Sequence, residues 1–289
     1  MQPVLQHGAK NSDYPSSDPS DIVSRLQSLL NTWAHEFSSG TSDLLTVDGN
    51  FGDETLCRVL EFQTHSLVPH EDSSSIDGVV GQNTWQKLLT ITAEVSPESS
   101  LASHQFPWAT QLPSRIQGDS DLGFSALGVA VGEIESDATE VGRNNQGQFV
   151  DKYLAPVGMS NLPWCAGFVS WCYMEASGSF ENMPFRYGLG ARGLFNQFEH
   201  RDAIRLHNEN YQPIAGDLAV WSRCYEDRTE AGHVAIVYSY SDGVLRTIDG
   251  NKGLFPAYVK GIEHSDDKWV PGFLGFCNIR ALLHHSDAT

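Results

Sequence analysis

Apolar positions recur at helical spacing through the first two thirds of the chain and give way to strand-like runs in the last third. Ile22, Val23, Leu26, Leu29, Leu30 and Trp33 fall on one face of a predicted helix, with Asp21 placed as its N-cap. Leu56, Val59, Leu60 and Phe62 predict a second helix, and a third begins over Trp85 to Leu89. From Phe124, the run Ala126, Leu127, Val129, Ala130, Val131 and Ile134 predicts a longer apolar helix. Phe149, Val150, Tyr153 and Leu154 predict a short amphipathic one. Next comes an apolar stretch from Leu162 to Cys172, entered through Pro163 and left near Gly178. Pro at the entry and Gly at the exit predict a helix that starts at or next to Cys165. Residues 179–211 are aromatic, glycine-rich and without sustained period, so they read as irregular.

Strands are predicted at Gly216 to Trp221, at His233 to Tyr238, and at Val244 to Asp249 after an Asp242-Gly243 turn, with a final strand over Phe273 to Leu283. Helices first and an antiparallel sheet afterwards make the class α+β.

An internal repeat divides the chain. Asp48-Gly49-Asn50-Phe51-Gly52-Asp53-Glu54-Thr55 recurs as Asp77-Gly78-Val79-Val80-Gly81-Gln82-Asn83-Thr84, each running into a helix. The first 92 residues therefore read as a small three-helix unit with two matching turns, carrying polar inserts at 11–20, 37–43 and 66–75. Residues 93–122, with Pro97, Pro107 and Pro113 among Ser and Asp, read as a linker in which Phe106, Trp108 and Leu112 are placed to pack on a neighbour. Residues 123–289 form the larger unit.

Charge narrows the function. The formal net charge is −18, from 36 acidic and 18 basic residues. Such a surface repels phosphate backbones and anionic lipid, which argues against nucleic acid and membrane as partners. No run is long enough for a membrane helix. The opening Met1-Gln2-Pro3-Val4-Leu5-Gln6-His7 has neither a basic nor an apolar leader region, so the expectation is synthesis in the cytoplasm without a signal peptide. A target outside the cytoplasm is then reached through a secretion machine or by lysis. The five cysteines, 57, 165, 172, 224 and 277, are scattered and form no C-x-x-C, so neither a disulfide framework nor structural zinc is expected.

Cys165 is the candidate nucleophile. At a helix N-terminus the macrodipole and free backbone N–H groups favour a thiolate and can cradle an oxyanion. Cys172, two turns further on, reads as core. His233 opens a strand after Gly232, and Asp249 and Asn251 end the partner strand. His233 is the candidate base, with either Asp249 or Asn251 placed to accept its Nδ1–H. A zinc site from Cys165, Cys172 and His233 lacks a fourth ligand, so neither a metal nor another cofactor is expected.

These residues carry two resemblances. Leu5 to Leu89, with Leu26-Gln27-x-x-Leu30, the two D-G-x-x-G-x-x-T turns and Phe62-Gln63, resembles a peptidoglycan-binding module of the helical PG-binding type 1 kind. Pro163-Trp164-Cys165-Ala166, Gly216-Asp217-Leu218-Ala219-Val220-Trp221, Gly232-His233-Val234-Ala235 and Asp249-Gly250-Asn251 resemble the CHAP branch of the NlpC/P60 superfamily, over residues 123–284. Many CHAP domains have Glu-x-Asn where this chain has Asp249-Gly250-Asn251. The resemblance implies a papain-like cysteine amidase or endopeptidase acting on peptidoglycan. In that reading Cys165 is the nucleophile, His233 the base, and Asp249 or Asn251 its orienting group. With no signal peptide expected, such an enzyme looks like an antibacterial effector, with an immunity protein or secretion component as partner, or a phage lysin. A catalytically silent wall-binding adaptor and a thiol acyltransferase or transpeptidase are the competing readings.

Overall fold

The computed structural model describes residues 2–14, 21–37, 45–67, 76–93, 106–207, 211–222, 232–252, 256–264 and 272–284. The N-terminal part holds helices α1 (Ile22–Phe37), α2 (Asp53–Leu67) and α3 (Gln82–Ala93). Leu26, Leu30, Val59, Phe62, Trp85 and Leu88 close their common core, in which Trp33 meets Phe62 edge-on at 5.2 Å. The opening segment pairs with both repeated turns, Leu5 with Val80 and Lys10 with Asn50. Asn11 Oδ1 accepts the N–H groups of Val23 (2.8 Å) and Ser24 (3.2 Å), so the α1 start is capped from a distance.

One device builds both turns. Gln27 Nε2 donates to Asp48 Oδ1 (2.8 Å) and to the Asn50 carbonyl (3.0 Å), while its Oε1 accepts the Gly49 N–H at 2.9 Å. Gln63 repeats this on Asp77 (3.0 Å), the Val79 carbonyl (3.0 Å) and the Gly78 N–H (2.9 Å). Gly49 and Gly78 sit at φ 73° and 72°, left-handed backbone that favours glycine. The first turn borders an open cleft of about 300 Å³, lined by Leu45, Thr46, Asp48, Asn50, Asp53 and Glu54 among others.

The remainder comprises α4 (Asp121–Glu135), α5 (Gln148–Leu154), α6 (Cys165–Ser177), α7 (Ala191–Glu199), β1 (Ile204–Arg205), β2 (Leu218–Ser222), β3 (Gly232–Ser241), β4 (Val244–Lys252), β5 (Tyr258–His264), β6 (Phe273–Cys277) and α8 (Ile279–His284). The strands form one antiparallel sheet in the order β1-β6-β2-β3-β4-β5. The α+β class follows. Helix α6 lies across β3 and β4 with Ala166, Phe168, Val169 and Cys172 in the core, and it ends at Gly178 in left-handed backbone, φ 73°.

Three expectations change. The stretch read as irregular over 179–211 contains α7, whose Leu194, Phe195 and Phe198 are buried. The final strand stops at Cys277, because Asn278 Oδ1 accepts the Ala281 N–H (2.6 Å) and starts α8. Cys57 is disulfide-bonded, whereas Cys165, Cys172 and Cys277 are free thiols. Part of the proline-rich segment packs on the larger unit: Ala109 is fully buried and Trp108 meets Tyr238 at 4.6 Å. Residues 94–105 and Cys224 lie outside the described residues, as do most of the polar inserts.

Candidate active site

The first turn of α6 is held from several sides. Trp164 precedes it, fully buried, and donates its indole N–H to Glu140 Oε1 at 3.0 Å. Glu140 also accepts the N–H groups of Asn145 (2.8 Å) and Ala257 (3.0 Å), so one buried carboxylate ties the start of α6 to the approach to β5. Two glycines set how closely the helix can sit. A Cβ on Gly167 would lie 2.9 Å from the Tyr153 carbonyl oxygen, and a Cβ on Gly250 would lie 2.6 Å from Phe168 Cγ. Gly250 therefore lets β4 pass directly beneath the helix that carries Cys165.

His233 stands opposite Trp221 in the β2–β3 register. A Cβ on the preceding Gly232 would reach to 2.5 Å of the Trp221 carbonyl oxygen. His233 Nε2 meets Asp249 Oδ2 at 2.6 Å, with neither side chain exposed. The Cys165 thiol, on a residue 4% exposed, hydrogen-bonds the same imidazole. Since Nε2 faces Asp249, Nδ1 is left for Cys165. This reverses the expected use of the ring, in which Nδ1–H was to face the carboxylate. The reversal follows from the side-chain orientation that places His233 between α6 and β4.

Burial opposes a charge on His233, but its hydrogen bonds to Asp249 and Cys165 and their charges outweigh it and raise its pKa to about 9. Burial likewise opposes a charged Asp249, and its bond to His233 and the nearby cations prevail, holding its carboxyl below the usual range. Asn251 lies two residues further, buried and in left-handed backbone at φ 55°, within an irregularity of the β4–β5 ladder. Of the acid and the amide weighed for the orienting position, Asp249 is the one on Nε2.

Cys172 is fully buried, and burial and the Glu133 charge push its thiol well above the ordinary range. Cys277 is pushed up in the same way, by burial and by Asp217. Asp217, in the Gly216-Asp217 turn, is itself raised to about 6 by burial, against bonds from Tyr211, the Ile214 and Ile279 N–H groups and Asn278. These groups build the turn into β2.

Three residues of this neighbourhood were not found in the sequence. Glu140 gave no signal, because a lone Glu after a helix reads as surface. Thr247 shares a strand face with Asp249, two positions on, and that periodicity was the available clue. His264 comes alongside only through the β4–β5 register. Among the described residues no three His, Cys, Asp or Glu side chains gather as a metal site.

Residues 157–251 match the CHAP domain family, a span that contains Cys165, His233, Asp249 and Asn251. The match supports a hydrolase of the amidase or peptidase type acting on peptidoglycan. No curated protein and no solved structure matches the chain.

Proposed function

We propose that the protein is a thiol-dependent peptidoglycan hydrolase that cleaves an amide bond of the wall peptide. The observation that carries this reading is the buried line from Cys165 through His233 to Asp249 at the start of α6. With the thiol proton resting on His233, the Cys165 sulfur attacks the amide carbonyl carbon. The oxygen that gains charge is met by the backbone N–H of Cys165 at the helix start. His233, oriented by Asp249, returns the proton to the departing amine and leaves a thioester on Cys165. Water, deprotonated by the same imidazole, then releases the carboxylic acid and restores the thiol.

The N-terminal helical unit is the wall-binding part, with the acidic-lined cleft beside Asp48 and Asn50 as its candidate contact surface. The bonded Cys57 supports action in an oxidising compartment such as the cell wall or periplasm. Delivery there by a secretion system, with an immunity protein guarding the producer, or by phage lysis, fits this assignment.

The test is digestion of purified sacculi with products read by mass spectrometry. Free stem peptides would identify an N-acetylmuramoyl-L-alanine amidase, and shortened or uncross-linked muropeptides an endopeptidase. Binding to sacculi with no soluble product, across several wall chemistries, would overturn the reading and leave a wall-binding adaptor.

A further inference from the structure

Behind Asp249 the hydrogen-bonded line continues. Thr247 Oγ1 donates to Asp249 Oδ1 at 2.5 Å, and the same hydroxyl meets His264 Nε2 at 2.9 Å. Both Thr247 and His264 are buried, 0% and 3% exposed. A hydroxyl has one proton. Thr247 spends it on the carboxylate, which has none to give, so towards His264 it can only accept. His264 must therefore carry its proton on Nε2. The direction of every bond in the row is fixed by that count: His264 Nε2–H to Thr247, Thr247 O–H to Asp249, and Asp249 accepting from His233 Nε2–H on its other oxygen.

The surroundings keep His264 in that form. Asp249 and Lys252 on β4 and His233 on β3 are the charges that act on it, and the Trp221 ring of β2 packs against both imidazoles, 6.0 Å from His233 and 5.6 Å from His264. Burial is the largest influence, with the cations of Lys252 and His233 adding to it and Asp249 opposing, and His264 is pushed down to about 3. Lys252 is itself buried and lowered to about 8, chiefly by burial, within reach of Asp249, Lys260, Glu61 and Arg58. One carboxylate thus faces two histidines of opposite behaviour, one held charged and one held neutral.

We infer that Thr247 and His264 are positioning residues for the hydrolytic centre: they hold the second oxygen of Asp249, and through it they set the orientation and proton affinity of His233. The inference rests on the reading of Cys165, His233 and Asp249 given above. A carboxylate that accepts a hydroxyl bond is less basic than one that does not, so the Thr247 bond moderates the pull of Asp249 on the His233 proton.

The experiment is a pH titration of the full chain, labelled with ¹⁵N-histidine, by NMR. It needs no substrate, so its failure and a failure of the hydrolase reading are separate events. The expected spectrum shows His264 as the neutral Nε2–H tautomer from pH 5 to 8 and His233 titrating near 9. In Thr247→Val the His233 transition moves to higher pH and His264 loses its tautomer preference. Thr247→Ser, which keeps the hydroxyl, leaves both as in wild type, and His264→Gln, which keeps an N–H to donate to Thr247, leaves the His233 transition in place. In the sacculus assay Thr247→Val lowers kcat about tenfold with little change in KM, consistent with an orienting role. His264 in the Nδ1–H form, or titrating in the ordinary histidine range, would overturn the inference. So would a His233 transition unmoved in Thr247→Val. If Thr247→Val does not fold, the wild-type tautomer and the Thr247→Ser spectrum still decide the matter.

Discussion

Gln63 in the N-terminal helical unit and Asp249 in the sheet are both almost wholly buried, at 1% and 0% exposed, and both gather several hydrogen bonds. Their partners differ in kind. Gln63, like Gln27 one repeat earlier, spends its amide on turn backbone, an Asp and a Thr hydroxyl of the following repeat. Its donors and acceptors meet their complements, and its neutral amide has no proton to exchange. Asp249 spends its oxygens on His233 and Thr247, and His233 in turn faces Cys165. There the line runs through ionisable groups, and the charge of His233 depends on Asp249 and Cys165. Buried polarity that closes on backbone makes architecture, while buried polarity that closes on other ionisable side chains stores the capacity to move a proton. Cys165 and Cys172 teach the same on a single helix. They stand seven residues apart on α6, and one meets an imidazole while the other is packed in the core, its thiol pushed up by burial and by Glu133.

The comparison breaks most sharply at Asp249. Asp249→Asn should lower kcat/KM by about 10²-fold or more. It should also move the alkaline limb of the pH profile to lower pH, because the charge that keeps the imidazolium at about 9 is gone. A limb unmoved by Asp249→Asn would show that the carboxylate does not set the base. The same pair acts on stability with a definite sign. His233 is raised, so its contribution is complete below its unfolded value of about 6.5 and is lost as pH rises through about 9. Asp249 is lowered, so its contribution is complete above its unfolded value of about 4 and is lost as pH falls through its folded value. Stability from the pair is therefore full between roughly pH 4 and 6.5.

The opposite pattern is expected at Gln63. Gln63→Leu leaves the Gly78 N–H without its buried acceptor and should cost about 1–3 kcal/mol of stability, read by denaturant unfolding. Turnover of a small soluble muropeptide should stay within about twofold, since the Gln63 bonds run to Asp77, Gly78, Val79 and Thr84 and not to Cys165, His233 or Asp249. A fall in that turnover comparable to Asp249→Asn would erase the distinction between the two networks.

How much of this was legible in the sequence depended on how local each signal was. The start of α6 was legible because Pro163 and Gly178 punctuate it, and the repeat was legible because both turns use the same glycines. Helix α7 was hidden because Gly188, Gly190 and Gly193 crowd its start, ahead of a short Leu194, Phe195, Phe198 pattern that its burial makes plain. The premature end of β6 lay in a single side chain, Asn278, acting as a helix cap. Which ring nitrogen of His233 faces Asp249 depends on a side-chain torsion, and no spacing along the chain reports that. Thr247 and His264 join the row only through strand register, a property of two segments at once. The Cys57 bond escaped because scattered, unpatterned cysteines give no hint of pairing at a distance.

In the proposed mechanism Cys165, and no other thiol, forms the bond to the wall peptide. Its most direct test compares wild type, Cys165→Ala and Cys172→Ala on purified sacculi under one condition, with released fragments counted by mass spectrometry and folding checked by circular dichroism. Soluble fragments are expected from wild type and from folded Cys172→Ala, and none above the no-enzyme control from Cys165→Ala. Fragments released by Cys165→Ala at a rate near that of wild type would contradict it.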